Sequence, residues 1–162
     1  MEDGPDTRED RALASVRWID IVSPHLREIH REWCGLRGAH LVPRLRLYNA
    51  FLPSVPARDS VCAVFPASAA APSFRSVGAN PSRCFAGLRD GRLFTEIASV
   101  VERTALTVPF HEVRTAPQPD CRRGTVGDPQ RGRAFEQLLV PFADDHLRVC
   151  LVHAVFDLAP AR

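Results

Sequence analysis

Few residues in this chain have the type and spacing that chemistry requires. Arg75, in Phe74-Arg75-Ser76, carries five donors on a planar guanidinium and would hold a carboxylate or phosphate if it faced a cavity. The bland alternative is a structural ion pair with a carboxylate such as Glu136. His30 and Cys34 are four residues apart on a helical pattern and share a face, a spacing open to two metal ligands. No further His or Cys joins them in sequence, so no metal site is expected. His111 and His153 fall in strand-like segments and read as hydrogen-bonded core or surface histidines. Asp144-Asp145-His146 sets acids beside a base, but in a tight turn, where such residues serve the turn itself. Between Arg114 and Arg133 five Arg face Asp120 and Asp128, a local charge of +3. That stretch suits an acidic partner or, more simply, a solvated loop. There is no Gly-x-Ser-x-Gly elbow, no glycine-rich phosphate loop and no His-Glu-x-x-His, so no catalytic residue is assigned.

The elements that position these residues are organised by the end of the chain. Two apolar runs, Phe135 to Phe142 and Leu147 to Phe156, flank the polar break 143–146, as a β-hairpin requires. In the second run Val149, Leu151 and Val155 alternate with Cys150, Val152, Ala154 and Phe156, so both faces are apolar. Such a strand belongs in the middle of a sheet covered on both sides. Upstream, Ser23 and Pro24 open a helix that Gly38 closes after Arg37. Ile19, Val22, Leu26, Ile29, Trp33 and Leu36 follow at steps of three and four and form one stripe. Leu26, Ile29, Trp33 and Leu36 are therefore expected as an interface, covering the outer face of the hairpin of this chain or of a dimer mate.

Between these ends the spacing predicts an irregular connector over Ala39 to Asp59, with one helical turn near Asn49 to Leu52. Strands are expected at Ser60–Phe65, Ser73–Gly78, Thr107–Thr115, Gly132–Pro141 and Leu147–Asp157. A short helix runs from Asn80-Pro81 to Phe85. A longer one spans Phe94 to Ala105, with Phe94, Ile97, Val101 and Ala105 on one side. Ala116 to Arg131 reads as a long loop. Antiparallel strands with helices gathered between them indicate α+β.

The chain has 162 residues, 45% of them hydrophobic, and fits one domain with a modest appendage. A net charge of +2 is too mild for a nucleic-acid binder. Residues 1–10 alone carry −4, which leaves +6 elsewhere; residues 1–23 read as an acidic, mobile tail and a short helix opened at Thr7, ahead of a domain over 24–158. All 21 basic residues are Arg, a bias assigned no function. Five cysteines without a Cys-x-x-Cys spacing, no signal-peptide pattern and no 18-residue apolar run point to a cytoplasmic protein with free thiols and no membrane contact.

Several stretches resemble the divergent PAS-type modules common in alphaproteobacteria. Trp33 with Arg37-Gly38 and Pro43-Arg44 resembles the leader of that family. Phe74-Arg75-Ser76-Val77-Gly78 resembles its second strand, Leu88 to Leu93 the segment after it, and Phe135 to Phe142 its fourth strand, with Gln137 where the family has Arg. The resemblance covers about Leu26 to Leu158. It implies a five-stranded antiparallel sheet with short helices on one face and an N-terminal helical extension. It also implies a non-catalytic sensory or protein-interaction module in cytoplasmic signal transduction, with a signalling partner, a homodimer and a small molecule in the cavity between sheet and helices. No cofactor is required; haem is not expected, because neither His111 nor His153 lies on the helix where haem-binding PAS modules place theirs. Phe74, Arg75, Phe85, Phe94, Ile97, Val101 and Leu138 are the expected cavity residues. Two other roles remain open: a small enzyme or ligand carrier of the cone-shaped α+β type, and a purely structural dimerisation domain.

Overall fold

The computed structural model describes residues 20–126 and 132–159. The expected acidic tail, Ile19 and nearly all of the helix opened at Thr7 lie outside them. Ser23 caps helix α1 (Pro24–Arg37), its Oγ accepting the Leu26 N–H, and Gly38 ends it with φ 55°, a backbone setting that favours glycine. Leu26, Ile29 and Trp33 are fully buried and Leu36 is partly so. Val22 is exposed instead, since it precedes the cap and so leaves the helical period; Ile21 takes the buried place. Next come a helical turn α2 (Tyr48–Phe51), strands β1 (Ser60–Val64) and β2 (Ser73–Val77), and helix α3 (Ala79–Cys84). A 3₁₀ turn at Phe94–Glu96 precedes helix α4 (Val100–Thr115), then β3 (Asp120–Val126), β4 (Arg133–Ala143) and β5 (Val149–Leu158).

The strands form one sheet in the order β2-β1-β5-β4-β3, every neighbouring pair antiparallel. This is an α+β architecture consistent with a PAS-like fold. β5 is central and nearly all buried. On one face Val152, Ala154 and Phe156 pack with Phe74, Leu88, Phe94, Ile97, Leu106, Phe110 and Val113 from the mid-chain segments. On the other, Leu151 and Val155 pack with Leu26, Ile29, Trp33 and Phe51. The stripe of α1 thus covers the chain's own sheet, and the reading of Leu26, Ile29, Trp33 and Leu36 as an interface with a second copy gives way to an intramolecular one. Pairing between β3 and β4 stops at Leu139, so Pro141 sits where β4 has no strand neighbour on that side and its missing N–H costs no pairing. Its carbonyl accepts the indole N–H of Trp33 at 2.9 Å.

Three expectations fail here. Thr107–Thr115 is not a strand but the second half of α4. Its Val, Thr and Pro suggest extended chain, yet Leu106, Phe110 and Val113, at steps of four and three, bury one helical face on the sheet, and that burial overrides local propensity. Phe94 to Ala105 is not one helix: the turn at Phe94–Glu96 ends, Ser99 caps a new helix, and the period restarts there. The third strand lies in Asp120–Val126, within the presumed loop. Its charged residues suit an edge strand, where side chains reach water. A smaller difference concerns β5, where the register shifts beside Phe142 and Ala143 and leaves Cys150 without an opposite residue. Val149 therefore joins the face of Val152, and Cys150 that of Leu151, the reverse of simple alternation. Among the described residues no helix is long and apolar enough to cross a membrane.

Trp33→Ala should cost about 3–5 kcal/mol, out of a total of about 5–15, by leaving a cavity under α1 and freeing the Pro141 carbonyl. Urea unfolding followed by circular dichroism reads this directly; an unchanged midpoint would show that α1 does not cover the sheet.

Candidate functional site

Beneath α4, at the β3–β4 side of the sheet, lies a cavity of about 180 Å³. Its walls come from both layers. Phe85 and Leu88 follow α3; Ala105, Leu106 and Phe110 come from α4; Gly124 and Thr125 from β3; Phe135, Gln137 and Phe156 from β4 and β5. Phe85, Phe135 and Phe156 form a mutual cluster with ring centroids 5.7–5.8 Å apart. Gly124 stands opposite Phe135 in the ladder, and a Cβ there would come within 2.7 Å of its ring. The absent side chain lets that ring lie across β3 as a wall of the cavity.

Gln137 is the buried polar residue of this wall; Thr125, the other polar residue lining it, is exposed. Gln137 is 7% exposed, faces the helices with Phe135 and Leu139, and donates no hydrogen bond to any described residue. Its cross-strand neighbour Arg122 is held elsewhere, by Asp120 and Glu112. Among the described residues no charged side chain lines the cavity.

On the opposite face of β4, one residue away, the Glu136 carboxylate fastens the start of α1. It accepts the N–H groups of Val22 and Ser23 at 3.1 and 2.8 Å and Nε of Arg123 at 2.7 Å. Burial by itself would raise the Glu136 carboxyl, but the Ser23 N–H, the Arg123 guanidinium and the Val22 N–H together hold it below its ordinary value. Further along that face, Tyr48 and Nδ1 of His153 are hydrogen-bonded at 2.7 Å beside a hollow of about 400 Å³ under α2. Burial pushes the imidazole of His153 down to about 4, so it is neutral at physiological pH.

Of the residues expected in the cavity, only Phe85 lines it. Phe74, Phe94 and Ile97 are buried in the same layer but close-packed beside the void, with Phe74 and Phe94 4.7 Å apart. Val101 is 81% exposed because the helix restarts at Val100 and turns it outward. Leu138 faces α1: with both faces of the hairpin apolar, its phase could not be read from hydrophobicity, and Phe135, Gln137 and Leu139 take the helix side. Arg75 is exposed beside Tyr48 and Cys62 on the back face, without an ion-pair partner among the described residues, and Glu136 pairs with Arg123 instead. His30 and Cys34 touch, with Nε2 3.6 Å from Sγ, and among the described residues no third ligand type joins them. His111 lies on α4, not on a strand. Asp144 accepts the N–H groups of His146 and Arg148 as turn chemistry requires. The cavity residues Leu106 and Phe110 were readable from their helical spacing; Gln137 carried no signal until its face was known.

Two pH windows follow from these sites. Between about pH 6.5 and 4 the unfolded chain protonates His153 while the folded ring resists, so stability falls as pH falls through that range. The Glu136 contribution is full above the ordinary carboxylate range and is lost as pH drops through its depressed folded value. Urea midpoints measured from neutral pH downward should show a slope that His153→Phe flattens in the upper window and Glu136→Gln in the lower. Profiles identical to wild type would refute both assignments.

No protein-family model matches the chain, and no curated protein matches its sequence.

Proposed function

We propose that this chain is a non-catalytic regulatory module of the PAS type that binds a small molecule between sheet and helices and passes the event to a signalling partner in the cytoplasm. The observation that carries this reading is the strand β4, which borders the cavity through Gln137 and holds α1 through Glu136 on its other face. A ligand that shifts Gln137 moves the adjacent peptide, and with it the carboxylate that anchors Val22 and Ser23. α1 then reseats on the sheet, and its outer face, with Arg27, Glu28, Arg31 and Glu32 exposed, presents the change to a partner. The fold alone does not determine what is sensed.

Native mass spectrometry of the protein as expressed should show a small molecule that leaves on denaturation. Filling the cavity with Leu106→Phe should change hydrogen exchange across residues 22–37, a segment remote from Leu106 in sequence and on the other side of the sheet. A bare chain whose α1 exchange is indifferent to Leu106→Phe would remove the sensory reading.

A further inference from the structure

Gln137 is out of keeping with its surroundings. An amide that faces a cavity bonds to whatever occupies it, and a ligand that displaces the water there loses affinity unless it replaces those hydrogen bonds. Here Gln137 is 7% exposed, has no hydrogen-bond partner among the described residues and borders the cavity, its amide reaching that space rather than being sealed off. The rest of the wall is mainly apolar, with four Phe and the one hydroxyl of Thr125. We infer that the cavity takes an uncharged molecule of a single ring bearing a carboxamide or lactam edge, and that Gln137 selects it. This inference rests on the sensory reading of the cavity.

Three features define the class. The first is charge. Among the described residues no ionised side chain lines the space, and Arg122, the cation opposite Gln137, is engaged by Asp120 and Glu112. A bound carboxylate would therefore be buried without a counter-ion, which is strongly unfavourable. The second is size. About 180 Å³ slightly exceeds an apolar cavity of roughly 150 Å³ that admits benzene, so one ring with a short substituent fits. The rings of Phe85, Phe135 and Phe156 offer stacking and edge contacts to it. The third is the pattern of donors and acceptors. The carboxamide of Gln137 presents an N–H and a C=O side by side in one plane, complementary to the N–H and C=O of another amide. A site with such a buried polar group discriminates against analogues that leave it unpaired.

The test uses the full chain and three probes of similar size: benzamide, benzoate and toluene. Calorimetric titration gives the affinities, and the side-chain amide resonances of Gln137 report whether the probe sits beside it. Benzamide should bind at least about tenfold more tightly than either of the others, with those resonances shifted. Gln137→Leu should abolish the advantage of benzamide over toluene while toluene still binds. If benzoate or toluene binds wild type as well as benzamide does, with the Gln137 resonances shifted, the ligand class is wrong and the cavity reading stands; binding that leaves those resonances unmoved lies outside the cavity and counts as no entry. If no probe enters, the cavity reading itself falls. Should Gln137→Leu fail to fold, the order of the three probes on wild type decides by itself.

Discussion

β5 is removed from water on both faces, and the architecture follows from that constraint. A central strand of Val, Leu, Ala and Phe cannot be left with one side solvated, so the chain must supply two covers from what precedes it. The mid-chain segments supply one, with Leu106, Phe110 and Val113 of α4 as its main contacts, and α1 supplies the other through Leu26, Ile29 and Trp33. Each such side chain contributes about 1.5–3 kcal/mol on burial, which is large beside the net stability of a domain. Neither helix needs strong intrinsic propensity under this constraint, which is why Pro109 and several β-branched residues are tolerated inside α4.

β4 is consequently a shared wall. Glu136 and Leu138 belong to the α1 layer, Phe135, Gln137 and Leu139 to the α4 layer. The two layers differ in kind. The α1 side is tied by directed bonds, from Trp33 to the Pro141 carbonyl and from Val22 and Ser23 to Glu136, and its hollow lies away from them, under α2. The α4 side keeps a void with an amide facing it. In the proposed sensory reading, this shared strand is the element through which a displacement at Gln137 would reach the bonds that hold α1.

The back face also holds polar groups at a cost. Nε of Arg37 and Nε2 of His153 are buried without a hydrogen-bond partner among the described residues. Arg37 does donate to the His40 carbonyl at 2.9 Å, which fastens the chain just past the end of α1. His153 is kept neutral and bonded to Tyr48, with Phe51 packed edge-on at 5.6 Å. Arg37 closes α1 and His153 meets α2, so this helical layer is fastened by polar contacts at its margins and is apolar between them.

What the sequence determined is what periodicity and punctuation encode locally. Ser23 and Gly38 bound α1, the polar residues 143–146 mark the hairpin, and the doubly apolar closing strand requires a central position in an antiparallel α+β sheet. Tertiary structure decided the rest. Thr107 and Val108 are β-branched and read as extended chain, yet they lie in a helix because its Leu106–Phe110–Val113 face is buried on the sheet. Asp120–Val126 has little strand propensity of its own and becomes a strand because β4 offers it an edge. The candidate site fell on the undecided side for the same reason. When both faces of a strand are apolar, alternation gives no phase, and only packing assigned Gln137 to the cavity and Leu138 to the opposite layer.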